Sequence, residues 1–202
     1  MISYKKVKRI SDLVIALLLT VIFFPIILLI ILITLIDDFG NPIYFGERMG
    51  LNGKVFKIIK IRSMYINSES QSGTTAKDDK RITNFGKIIR RIKLDELTNL
   101  INIVKGDMSF VGPRPELKEY VDLYSEDEKK ILSVRPGITD YASIKFISLD
   151  EIVGKTDAHD EYLKKVFKKK NQLRLQYVKN MNFKTDMILL VRTIISVLKK
   201  FL

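Results

Sequence analysis

The sequence predicts an α+β protein, mostly helical, with an N-terminal re-entrant membrane helix and a small cytosolic domain that carries a β-hairpin and interfacial amphipathic helices. Three observations predict it. Residues 13–36 are apolar and hold no charged side chain. Two short runs of strand-forming residues flank Asn52-Gly53, a dipeptide suited to a tight reversal. Further along, apolar residues recur mainly at helical spacing.

A helix over 13–36 reaches roughly 36 Å, enough for a bilayer core of about 30 Å. A secretory signal has a shorter apolar region followed by small residues. Here Ile36 runs directly into Asp37 and Asp38. Pro25 lies mid-run and removes one intrahelical hydrogen bond. The leading flank is basic (Lys5, Lys6, Lys8, Arg9), and so is the chain that follows. Since cytosolic flanks usually carry the Lys and Arg excess, a chain that enters, bends at Pro25 and leaves by the same face accounts for both. A kinked single span is the competing reading.

The net charge is +12, carried as +3 in residues 1–12, zero in 37–160 and +9 in 161–202. The expected organisation follows: 1–40 as flank and anchor, 41–160 as cytosolic catalytic domain, 161–202 as basic helices at the membrane interface. Attraction to anionic headgroups explains such a tail beside an anchor, and the balanced centre speaks against nucleic acid as a partner. The chain has no cysteine, which excludes disulfides and thiolate chemistry. Its one histidine, His159, lies in a polar stretch and reads as an exposed surface residue, against Ser-His-Asp catalysis and multi-histidine metal sites.

In order, residues 44–49 and 55–61 read as strands, 67–80 as a polar loop, and 83–93 as a helix capped by Thr83. A further helix is expected from Asp95 to about Val104, with Leu97, Leu100, Ile101 and Val104 on one face. A proline-rich turn at 112–116 precedes a helical stretch at 117–132, and RPGIT at 135–139 reads as a second turn. Residues 160–180 and 183–202 are helical; the latter is amphipathic, and interfacial and core placements both fit it.

Three motifs offer chemistry. Asp95-Glu96 has a plain reading as a helix cap. Yet Arg90, Arg91 and Lys93 crowd it, a setting that keeps carboxylates ionised and holds phosphate. A carboxylate can attack phosphorus covalently, and its neighbour can hold a divalent cation together with substrate phosphates. In VGPRPE, Pro113 and Pro115 fix the backbone around Arg114, which lowers the entropic cost of presenting a guanidinium fork to phosphate. In KIRSM, Lys60 and Arg62 alternate along a strand and point to one face.

Taken in order, KIRSM, LDEL, GDMSFVGPRPE and RPGIT behind a basic-apolar N-terminus resemble the bacterial sugar transferases, the monotopic phosphoglycosyl transferases that act on polyprenyl phosphate. The resemblance is to the minimal-length members and runs from about Lys6 to about Ser143. It implies transfer of a sugar-1-phosphate from a nucleotide diphosphate sugar, with a UDP-sugar the expected donor, to polyprenyl (undecaprenyl) phosphate. Nucleoside monophosphate is released and glycan assembly begins. It implies Mg²⁺ as cofactor, Asp95 as nucleophile, Glu96 as its partner, and both as metal-side carboxylates. The expected substrate- and phosphate-binding set is Lys60, Arg62, Arg90, Arg114, Pro113, Pro115 and Arg135. The implied location is the cytoplasmic face of a bacterial inner membrane, with membrane lipid as partner and a re-entrant anchor. The sequence departs from the pattern at Thr98-Asn99, where proline usually follows LDEL. It departs again at Phe24, where serine often precedes the anchor proline, and at Asp140, where glycine often follows RPGIT. A non-catalytic membrane scaffold for glycan enzymes is the rival reading.

Overall fold

The computed structural model describes residues 4–66, 68, 78–154 and 158–199. Most of the expected loop at 67–80 lies outside them. The chain opens with one long helix, α1 (Tyr4–Asp37), and then a hairpin, β1 (Ile43–Met49) and β2 (Val55–Ile61). Helices α2 (Asn84–Arg91) and α3 (Asn99–Lys105) follow, then β3 (Ser109–Val111), α4 (Lys118–Val121) and β4 (Gly137–Thr139). Helices α5 (Tyr141–Lys145), α6 (Leu149–Val153), α7 (Ala158–Tyr162), α8 (Lys168–Asn180) and α9 (Phe183–Lys199) complete it.

The hairpin forms where it is expected, antiparallel, with Ile43 opposite Ile61 and Met49 opposite Val55. Asn52 supplies the left-handed residue in its turn, a conformation Asn tolerates better than most residues. Thr83 caps α2 by accepting from the Gly86 amide at 2.8 Å. Strand β2 is fixed to α3 by side chains. Thr98 Oγ1 donates to the Ile59 carbonyl at 2.8 Å, and Asn102 exchanges bonds with Ile59 N and Lys57 O at 2.9 and 2.8 Å. Pairing buried backbone groups this way avoids the cost of leaving them unsatisfied.

Helix α1 packs along this layer. Ala16, Leu19 and Phe23 meet Ile58, Leu100, Ile103 and Met108, while Ile30 meets Ile61 and Ile89. Pro25 sits inside α1 without ending it. At its start, Lys8 Nζ reaches Asp186 at 2.5 Å, and Arg9 donates to the last carbonyls of α3, Ile103 O and Val104 O, at 2.5 and 2.8 Å. Just past its end, Asp38 pairs with Arg62. Leu18, Val21, Ile22, Phe24, Leu29 and Leu32 on its other face are exposed.

Several expectations need correction. The helix expected from Asp95 begins at Asn99. Lys93 adopts a left-handed conformation (φ 60°), which stops the chain after α2 and starts a 3₁₀ turn, Leu94–Glu96, so Asp95 caps nothing. Asn102 and Ile103 are buried in α3, whereas Ile101 is exposed. The stretch 117–132 divides into α4 and a 3₁₀ turn, Glu128–Ser133, because Ser125 and Glu128 bond each other's amides and restart the chain. RPGIT is more than a turn, since β4 pairs in parallel with β3. That pairing presses Gly112 and Gly137 backbone to backbone, leaving no room for a side chain at either. His159 is half-buried, stacked on Tyr120 and bonded to its hydroxyl at 3.0 Å.

Helices α8 and α9 pack on this core, with Tyr177 and Leu189 against Val111 and Val134. The tail's charge is not all turned outward: Lys170 and Arg174 are buried. On α9, Asp186 and Leu189 face inward and Thr193 meets the Thr139 hydroxyl at 2.6 Å, while Val191, Ile194, Ile195 and Leu198 are exposed.

Candidate active site

The 3₁₀ turn after Lys93 is what builds the site. Leu94 and Leu97 pack on Ile30, Ile61 and Ile89, so the intervening Asp95 and Glu96 are carried inward and are 6% and 8% exposed. Burying two adjacent carboxylates is costly unless cations meet them. Lys60, held over the turn by β2, donates to Glu96 Oε1 at 2.9 Å. Arg114 grips the same carboxylate with both terminal nitrogens, one to Oε1 and Nη1 to Oε2 at 3.0 Å. Nη1 also meets the Ile138 carbonyl at 3.3 Å.

The two carboxylates therefore differ. Burial works against charge on Glu96, but Arg114 and Lys60 outweigh it and hold its carboxyl well below the usual range. Burial pushes the Asp95 carboxyl up, and the pull of Lys60 does not cancel it. Asp95 Oδ1 is buried with no hydrogen-bond partner. A pair of groups driven apart in this way is the pattern expected of assigned chemical roles.

Asp95 and Glu96 line a cleft of about 910 Å³ together with Lys60, Arg90, Lys93 and Arg114. Pro115 lines it as well. Arg90, in the last turn of α2, donates to Ser63 Oγ at 3.4 Å. Toward α1 the cleft turns apolar, with Leu19, Phe23, Phe110 and Ile138 in its wall.

Three expected site residues lie elsewhere. Arg62 does not join Lys60: the strand ends at Ile61, and its guanidinium bonds the carboxylate and carbonyl of Asp38. Arg135 donates to the Gly106 carbonyl at 2.9 Å and fixes the turn after α3. Pro113 serves through its backbone, accepting from Gly137 N at 3.0 Å.

Sequence reasoning missed what stands behind Arg114. Glu116 Oε1 accepts from Tyr162, Lys170 and Arg174 at 2.9, 2.9 and 2.6 Å. It also missed Thr98 and Asn102, which seat Lys60; their one-turn spacing opposite a strand was the available signal. Among the described residues no three His, Cys, Asp or Glu side chains converge as a metal cage.

Residues 3–200 match the family described as bacterial sugar transferase. The chain belongs to that family. It is 38% identical over 160 residues to EpsL, a sugar transferase of Bacillus subtilis, covering 79% of this chain and 71% of that protein. It is 32% identical over 203 residues to the UDP-N-acetylgalactosamine-undecaprenyl-phosphate N-acetylgalactosaminephosphotransferase of Aeromonas hydrophila, covering 98% of this chain and 45% of that protein. With the UDP-glucose:undecaprenyl-phosphate glucose-1-phosphate transferase of Caulobacter vibrioides it shares 37% identity over 142 residues, 68% of this chain and 53% of that protein. The chain thus spans about half the length of these last two relatives. In this sugar transferase the motifs KIRSM, LDEL and VGPRPE supply Lys60, the Asp95-Glu96 pair and Arg114 to one cleft. The long apolar α1 and the relatives' lipid-linked substrates point to membrane association.

Proposed function

We propose that this bacterial sugar transferase moves a sugar-1-phosphate from a nucleotide diphosphate sugar, a UDP-sugar by analogy with its relatives, to polyprenyl phosphate through a phosphosugar ester on Asp95. The observation that carries the proposal is the asymmetry of the pair. Glu96 is neutralised by Lys60 and Arg114, while Asp95 lines the cleft and its buried Oδ1 has no hydrogen-bond partner.

In the first step a carboxylate oxygen of Asp95 attacks the phosphorus bonded to the sugar. The bond from that phosphorus to the bridging oxygen breaks, and nucleoside monophosphate leaves with the electron pair. In the second step a phosphate oxygen of the polyprenyl phosphate attacks the same phosphorus and frees the Asp95 carboxylate. Lys60, Arg90 and Arg114 lie where the diphosphate's charge needs compensation. One site then serves a water-soluble donor and a membrane-bound acceptor in turn.

The donor set fits Mg²⁺ in the manner usual for that ion, one or two carboxylates with substrate phosphates completing the shell. The orphaned Asp95 oxygen and the remaining lone pairs of Glu96 would hold it. When bound, it would neutralise charge on the diphosphate.

The lipid acceptor would reach the cleft at its apolar end, beside Leu19 and Phe23 of α1. A helix of 34 residues would be about 51 Å long if straight, yet both its ends are tied to one domain, at Asp186 and at Arg62. That supports an anchor that enters and leaves the bilayer by the cytosolic face, with the exposed face of α9 resting on the interface. Ser3→Cys and Asn41→Cys should both be shielded from an impermeant reagent in intact cells, and labelling of Ser3→Cys from outside would establish a single span.

The chemistry is tested by mixing enzyme with nucleotide sugar alone. About one equivalent of nucleoside monophosphate should appear per active site, and the peptide holding Asp95 should gain a sugar-phosphate mass. Release only when lipid is present, with no modified peptide, would mean direct transfer. No release with lipid would favour the scaffold.

A further inference from the structure

The turn that presents Arg114 is held from behind by a residue far along the chain. Arg114 itself bonds Glu96, and its backbone amide donates to Asp140 Oδ2 at 3.4 Å. Asp140 is fully buried, and its other oxygen caps α5 by accepting from Ser143 N at 2.6 Å. Glu116, two residues after Arg114, is the anchor on the other side, and its carbonyl accepts from Met49 N at 2.9 Å.

Both carboxylates meet one guanidinium. Arg174 of α8 is completely buried. Its Nη2 donates to Glu116 Oε1 at 2.6 Å, and its Nε lies 3.9 Å from Asp140 Oδ2. Nη1 is spent on Tyr124 and Asn171 at 3.3 Å each. Glu116 is a strong anchor: although burial opposes its charge, Lys170 and Arg174 keep its carboxyl far below the usual range. Removing one member of such a buried cluster leaves a charge uncompensated, so the cluster holds its geometry firmly.

We infer that Arg174 is a positioning residue for Arg114, acting through Asp140 and Glu116 on the two sides of the proline turn. The inference rests on the proposed role of Arg114 and Glu96. It also gives Asp140 a task. Where the family pattern often has glycine, this chain has a carboxylate that accepts from the Arg114 amide and faces the Arg174 guanidinium of α8 at 3.9 Å.

The test uses the full chain in membrane mimetic with Arg174→Gln, Arg174→Lys and Asp140→Asn; the last keeps an oxygen to cap α5. Amide exchange over 110–117 should rise about tenfold in Arg174→Gln and Asp140→Asn while strand 55–61 stays as in the parent. Arg174→Lys should fall between. Turnover should drop about 10- to 100-fold, as for small misplacements of a catalytic group. The loss should fall on kcat, with KM for the nucleotide sugar within about threefold, and Arg174→Lys should recover part of it. Unchanged exchange at 110–117, an equal rise at 55–61, or no recovery in Arg174→Lys would each overturn the inference. If the parent enzyme releases no nucleoside monophosphate, the proposed function fails, and exchange at 110–117 still decides whether Arg174 holds the turn.

Discussion

Two glutamates flank the proline turn, and each is met by one lysine and one arginine. Glu96 has Lys60 and Arg114; Glu116 has Lys170 and Arg174. The electrostatics are nearly the same, yet the surroundings differ. Both line the same cleft, but Glu116 adds the Tyr162 hydroxyl, whereas Glu96 adjoins Asp95, whose Oδ1 is buried with no hydrogen-bond partner. Satisfied partners hold geometry; the pair with one unmet carboxylate oxygen is the one to which the proposed chemistry is assigned. The contrast sets residues that hold the protein apart from residues proposed to act on a substrate.

The largest expected effect is at Asp95. Asp95→Asn should abolish turnover, a loss of at least about 10³-fold. The sign for stability is opposite. Burial lifts the Asp95 carboxyl above its ordinary value, so its charge near neutral pH costs stability. The variant should melt about 2–4 °C higher, the shift of about 1 kcal/mol in a chain of this size. Loss of both activity and stability would erase the contrast.

Glu116→Gln should shift stability the other way. It leaves Lys170 and Arg174 buried without their anion, at a cost of about 3–5 kcal/mol, readable by chemical denaturation. The nucleoside monophosphate burst should survive in the folded fraction but form about 10- to 100-fold more slowly, because Glu116 helps to place Arg114. A folded Glu116 variant that is as dead as Asp95→Asn would place Glu116 in the chemistry.

Acid sharpens the comparison. Both glutamates are depressed when folded, so their stabilisation is present above the ordinary value of 4.5 and is lost as pH falls through the folded values. Melting temperature should fall below about pH 4.5, and less steeply in either Gln variant. The smallest effect is expected at Arg62→Ala, which breaks an ion pair with Asp38 outside the cleft. Turnover per bound enzyme should stay within about twofold, checked in the same assay with membrane-bound protein, while a tenfold loss would return Arg62 to the site.

What the sequence made legible was local. The hairpin and the Thr83 cap rest on neighbouring residues, and both formed as expected. The Asp-Glu pair, Lys60, Arg90 and Arg114 each sit in a compact motif, and the structure brings them to one cleft. The misreadings came where distant groups decide. Arg62 alternates correctly with Lys60, but the end of α1 lies waiting for it. Asp95 has the composition of a cap, yet Lys93's backbone turns the chain before any helix begins. Gly137–Thr139 is too short to read as a strand without β3 beside it. Glu116 reaches partners 46 to 58 residues ahead, which no pattern around it announces.

The clasp between Lys8 and Asp186 joins residues 178 positions apart. During synthesis α1 is made long before α9. Asp186 can reach Lys8 only once α9 has cleared the ribosome, so for most of translation the start of α1 has no protein partner at that point. A long apolar helix cannot wait in water, and a bilayer is the surrounding that would keep it. Insertion should therefore come before assembly, with the membrane acting as the holding jig on which the last helix closes the fold. A fusion that delays release of α9 would leave an inserted but unlocked chain, open to proteases at its C-terminal helix and not at its anchor.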